Sequence, residues 1–130
     1  MKTILFSILL LFSINGVAFN WKKVAEGFNN GHSFYVDIDN IKKRNGLVYY
    51  WELNDLLEPI TGPLGNVNSG IKKYKANCVE EKLTLLNQTY YSQPMSKERI
   101  LYEDSPNIIQ YPKPKSVGYT VMKFVCDYAK

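Results

Sequence analysis

Two cysteines, one histidine and a close pair of aspartates are the residues of this chain best equipped for chemistry, and their spacing narrows what each can do. Cys78 and Cys126 do not form a Cys-x-x-Cys pair, so the arrangement does not suggest redox catalysis. Paired within the chain they admit one connectivity and close a loop of about 50 residues, worth roughly 4 kcal/mol by the chain-entropy argument. Two free thiols or an intermolecular bridge are the alternatives. His32 is the sole histidine, so a Ser-His-Asp or Cys-His site would have to use it. Its neighbours Asn29, Asn30, Gly31 and Ser33 instead describe an exposed turn. Asp37 and Asp39 share a face of an extended strand, a geometry open to cation binding or acid–base work. The run Asp37-Ile38-Asp39-Asn40 lacks the glycine and distal glutamate of a calcium loop, which favours a strand-end turn. Gly62-Pro63-Leu64-Gly65 has neither the lysine nor the spacing of a phosphate loop. The residues predict no metal and no cofactor. An enzyme would need an unrecognised site around His32, Asp37 and Asp39.

Binding chemistry is better represented. Lys72, Lys73 and Lys75 cluster around Tyr74, and Lys42, Lys43 and Arg44 form a basic turn. Either cluster suits an acidic protein patch or a sulfated glycan; a solvated strand face or turn is the plainer alternative. The full chain has 16 basic and 12 acidic residues, well short of the dense basic stripe of a nucleic-acid binder. Ten tyrosines and two tryptophans supply core and cross-strand pairs. A surplus on an uncovered sheet face or an open edge would suit a partner or a homodimer.

The elements that must hold these residues alternate like strands for two-thirds of the chain. Trp21–Glu26 is a short candidate. Phe34, Val36 and Ile38 share one face, with Tyr35 and Asp37 on the other. Asn45-Gly46 signals a tight turn. Leu47–Leu53 is the clearest strand: Leu47, Tyr49, Trp51 and Leu53 form one face, Val48, Tyr50 and Glu52 the other. Asp55–Gly70, with Pro59, Gly62, Pro63, Gly65 and Gly70, reads as a long loop. Ile71–Val79 and Lys82–Tyr91 follow as two strands joined at Glu80-Glu81; in the first, Tyr74, Ala76 and Cys78 oppose Lys73 and Lys75. Ile100–Tyr102 adds a short strand. The period then changes: Val117, Val121, Phe124, Val125 and Tyr128 recur at helical spacing, with Met122 and Cys126 beside them. Ser116 is the N-cap candidate, and Tyr119 stands where a capping box would place an acid. The expected fold is α+β: an antiparallel sheet of about five to six strands with a C-terminal helix packed on one face, tied by a disulfide.

The start of the chain reads as an export signal. Lys2 precedes the apolar run Ile4–Ile14, roughly 16 Å long as a helix and too short for a membrane span. Asn15-Gly16-Val17-Ala18 offers small residues at the spacing of a signal-peptidase site. Residues 1–18 are therefore expected to be a signal peptide and 19–130 one domain. No cysteine sits at the cut, so the expected product is not lipid-anchored and is periplasmic or secreted, in a compartment that permits disulfides.

Several of these pieces, in this order, resemble the surface-adhesin protein E family of Gram-negative bacteria. They are Trp21, Tyr35-Val36-Asp37 followed by Ile41, and Trp51 inside an aromatic strand. Ser69, the Lys72–Cys78 strand, Tyr90-Tyr91-Ser92, and Pro114 and Ser116 before a helix with Phe124-Val125-Cys126 complete the set. The resemblance spans nearly the whole of residues 19–130. It implies a twisted antiparallel sheet with a helix held on one face by the disulfide. It also implies non-enzymatic binding, with host matrix or plasma glycoproteins as partners. The founding adhesin is a lipoprotein, and this chain departs from it in lacking the acceptor cysteine. A periplasmic structural or envelope-maintenance protein without a host ligand is the alternative function.

Overall fold

The computed structural model describes residues 18–27 and 31–130. The expected signal peptide lies outside these residues except for Ala18, and Asn29 and Asn30 of the turn before His32 lie outside them too. Strands β1 (Trp21–Glu26), β2 (Ser33–Asp37), β3 (Lys42–Arg44), β4 (Leu47–Gly62), β5 (Gly65–Asn77), β6 (Lys82–Tyr91), β7 (Ile100–Asp104) and β8 (Ile108–Gln110) precede helix α1 (Val117–Tyr128). They form one antiparallel sheet in the order β1-β2-β4-β5-β6-β7, with β3 on β4 and β8 on β6. The expected α+β class and the disulfide-tied helix are both present; the eight strands exceed the five to six expected because β3 and β8 are three-residue pieces. Each completes a long strand that another partner covers only in part. β2 pairs Glu52–Asp55 of β4 while β3 pairs Leu47–Tyr49. On β6, β7 and β8 divide the length in the same way.

Asp55–Gly70 is not a loop. β4 runs on to Gly62, turns at Pro63-Leu64 and returns as β5. The prolines and glycines that suggested a loop are accommodated at particular points. Pro59 falls where the pairing slips between Asp55 and Ile60, outside the regular ladder. Gly65 takes φ 103°, a conformation open to glycine, as the strand re-enters.

The core lies between the sheet and α1. Val48 and Tyr50 of β4, Tyr74 and Ala76 of β5, and Leu83 and Leu85 of β6 meet Val121, Met122 and Val125 of the helix. Of the expected helical stripe, Val117, Val121, Phe124 and Val125 pack in the core with Met122 and Cys126 beside them, while Tyr128 is 54% exposed. Ser116 Oγ accepts from the Tyr119 backbone N–H at 3.2 Å, the expected N-cap. The Tyr119 hydroxyl, at the position that lacks an acid, donates to Glu81 of the β5–β6 turn. Cys78 in the same turn is bonded to Cys126 near the helix end. One turn thus holds the helix at two points about two turns apart.

Candidate functional site

In an antiparallel sheet, directly opposed residues share a face, so the register sorts the basic residues. Arg44, Leu47, Asn77 and Lys82 form one row across β3, β4, β5 and β6. Lys42, Tyr49, Lys75 and Thr84 form the next, and Trp51, Lys73 and Asn87 the third. All three rows lie on the face away from α1, because the intervening residues Val48, Tyr50, Tyr74 and Ala76 belong to the helix-covered core. This helix-free face is closed at its far end. There the Gln93–Ser96 turn folds over Asp55 and Ser69: Ser69 Oγ donates to the Gln93 carbonyl and accepts from Ser96 N–H, and Met95 N–H donates to Asp55 Oδ1. Leu53, Ile71 and Ser69 are buried at that end. The half from Trp51 to Leu47 remains open.

Lys42, Arg44, Lys73 and Lys75 therefore meet on one open surface although some thirty residues separate the two clusters in sequence. The Arg44 guanidinium lies 5.4 Å from the Tyr49 ring centroid, and the Lys73 ammonium 5.1 Å from that of Trp51. Such contacts contribute about 0.5–1 kcal/mol at exposed sites and hold the two charges over defined seats. The three rows contain no Asp or Glu. Among the described residues the one ion pair reaching them joins Lys82 to Glu80 at 4.0 Å.

Lys43, Lys72 and Tyr74, the other members of the two clusters, lie on the opposite side. Lys43 pairs with Val48, whose side chain is in the core. Tyr74 is 6% exposed and stacks on Tyr50, ring centroids 5.5 Å apart. Lys72 is opposite Glu52 in the ladder. Burial pushes the Glu52 carboxyl up to about 7, and the neighbouring Lys72 charge only partly opposes this. Burial likewise raises the Tyr50 and Tyr74 hydroxyls well above their ordinary value.

The residues first considered for catalysis are engaged locally. The Asp37 carboxylate, fully buried, accepts from the backbone N–H groups of Asn20 and Asp39 and from Asn40 Nδ2. It caps the short 3-10 turn Ile38–Asn40, the strand-end role expected of it. His32 Nδ1 accepts from the Leu57 backbone N–H at 3.0 Å, joining β4 to the start of β2. A separate groove of about 350 Å³ runs along the β4–β5 arm, lined by Leu56, Ile60, Leu64, Val67 and Tyr90 with Lys72 at its margin. It is apolar, unlike the open face.

Sequence reasoning placed Lys73 and Lys75 opposite Tyr74, as found. It missed the rings beneath the charges and the contribution of Lys82. The alternation of Leu47, Tyr49 and Trp51 was the available signal. What joins it to β3 and β5 is register, which composition does not carry.

The sequence model of the surface-adhesin protein E family matches residues 21–127. The chain belongs to the surface-adhesin protein E family. Two crystal structures of Haemophilus influenzae protein E have the same fold. One, crystal form II, superposes with a TM-score of 0.64 at 17% identity, covering 88% of this chain and 94% of that one. The other gives 0.61 at 16% identity, over 86% and 87% of the two chains. At these identities the likeness concerns the fold. No curated protein sequence matches the chain. Among the described residues, no helix is long and apolar enough to cross a membrane.

Proposed function

We propose that this protein is an exported, non-enzymatic binding module that docks an extracellular matrix or plasma glycoprotein on the open half of its helix-free face. The observation that carries this reading is the convergence of Lys42, Arg44, Lys73 and Lys75 around Tyr49 and Trp51, with no acid in their rows. Aromatic residues and arginine are enriched at interaction surfaces, an acid-free cationic surface is complementary to an acidic partner, and membership of an adhesin family points the same way. The signal peptide over residues 1–18 belongs to this proposal, since it delivers the domain to such partners.

The test is binding of purified protein to immobilised extracellular-matrix proteins, compared with Lys73→Glu/Lys75→Glu and with Lys43→Glu on the other face. Reversing two charges at the centre of the face should weaken binding at least about tenfold, while Lys43→Glu should bind like wild type. Equal binding by all three, or by none, removes the assignment.

The alternative, a periplasmic structural or envelope-maintenance role, has one observation in its favour. Cys78 and Cys126 are bonded to each other, which supports a domain that is not held at the cell surface by a lipid on either of them. Cell fractionation separates the two: wholly periplasmic protein supports the alternative, surface or medium exposure the binding module.

A further inference from the structure

We infer that the helix-free face recognises sulfate groups on a glycan chain, and that Lys75, Lys82, Asn77 and Asn107 form its anion subsite. This inference rests on the binding-module reading and names the chemistry of its ligand. A depression of about 360 Å³ lies at the β5–β6 side of the face, where these four polar residues are joined by apolar Leu47 and Ile109. The size suits one small unit of a larger ligand. Asn107, at φ 53° in the connection before β8, belongs to the rim contributed by the β8 side, across β6 from Lys75 and Asn77 of β5. Two ammonium groups and two amides supply N–H donors from several directions. That matches an oxyanion with three outward oxygens better than a planar carboxylate, whose preferred partner is a bidentate guanidinium.

The rest of the face extends the same chemistry. Lys42 lies two strands from Lys75 in the same row, roughly 10 Å at the usual strand spacing. Arg44 and Lys73 complete a band of five cations with Lys82 as its end member. The Tyr49 and Trp51 rings have Arg44 and Lys73 over them, so what they present outward is charge, not a bare stacking surface for a neutral sugar. Five of the seven residues lining the depression are polar and none is aromatic, unlike the well-packed sockets that receive the aromatic side chains dominating protein–protein affinity. An extended polyanion crossing the strands fits this band.

The probe is heparin, measured by calorimetry or surface plasmon resonance against the purified protein at about physiological salt. Chemically desulfated heparin, hyaluronan (carboxylates without sulfates) and single-stranded DNA are the comparison arms. Heparin should bind and the binding should fall steeply with added salt, while desulfated heparin and hyaluronan bind at least tenfold more weakly. Lys75→Ala/Lys82→Ala should lower heparin affinity about tenfold, and Asn77→Ala/Asn107→Ala by a smaller factor that a loss of bulk charge would not produce. Lys43→Ala is the folded control, with heparin affinity as in wild type. DNA binding as tight as heparin, or equal affinity for desulfated heparin, overturns the sulfate assignment. Binding of matrix glycoproteins that survives enzymatic removal of their sulfated glycans overturns it as well, and leaves the binding-module reading standing.

Discussion

Glu52 should make this protein less stable as pH rises through the neutral range, and substituting it should remove that dependence. The residue is 5% exposed on the helix-covered face, and burial raises its carboxyl from 4.5 to about 7 despite the Lys72 charge beside it. In the unfolded chain the same group titrates near 4.5. Between these values the folded protein holds a proton that the unfolded chain has released, so stability falls with rising pH across the window. Below about pH 4.5 both states are protonated and the penalty is absent; above about 7 it is complete. A difference of about 2.5 pK units corresponds to roughly 3 kcal/mol, a large part of the ~5–15 kcal/mol typical of a domain.

Glu52→Gln keeps the shape of the protonated acid and cannot ionise. It should match wild type near pH 4 and exceed it by roughly 3 kcal/mol at pH 8. Urea denaturation at pH 4, 5.5, 7 and 8 reads this as a midpoint difference that opens with pH at constant slope m. Taking the difference cancels other titrating groups common to both proteins. Lys72→Met, which removes the one favourable charge acting on Glu52, should lower wild-type stability at pH 8 further. A wild type and Gln variant whose difference does not change with pH, or a variant less stable at pH 8, would refute the buried, proton-holding Glu52.

Two further perturbations test the packing. Replacing Cys78 and Cys126 together by Ala opens a loop closed across a sequence separation of 48 and should lower unfolding stability by roughly 4 kcal/mol; urea unfolding with and without reductant on the wild type should give a similar loss. A variant as stable as the oxidised wild type would show that the helix does not depend on this tie. At Gly70, a Cβ would lie 3.0 Å and 3.2 Å from two Tyr90 ring carbons and 3.4 Å from the Thr89 carbonyl oxygen. Gly70→Ala should therefore cost about 1–3 kcal/mol through overpacking, seen as a lower Tm, and Tyr90→Leu in the same background should recover part of it if the ring is the obstacle.

The legible part of the fold was the part carried by local periodicity. Two-residue alternation over Leu47–Leu53 and Ile71–Val79 identified the two central strands and which of their residues oppose each other. The change to helical spacing after Pro114, with Ser116 before it, located α1 and its cap. The β4–β5 arm was misread because Pro59, Gly62, Pro63 and Gly65 are loop residues by local preference. Pairing between the two arms of a hairpin outweighs that preference when proline falls at a register slip and glycine at the turn. Of the helical stripe, Tyr128 alone departs: it fits the period yet is exposed at the last residue of α1.

By itself the sequence determined the central strands, the C-terminal helix with its cap, and the single connectivity open to two cysteines paired within the chain. Each of these depends on residue type and near-neighbour spacing, which a linear reading contains. Only the tertiary structure decided which charges act together. Register set Lys42 and Arg44 beside Lys73 and Lys75 on the face away from the helix, and turned Lys43, Lys72 and Tyr74 to the other. A shift of one residue in that register would exchange the two faces entirely. Registers of this kind are fixed by burial against α1 and by the Cys78–Cys126 tie, contacts between residues remote in sequence.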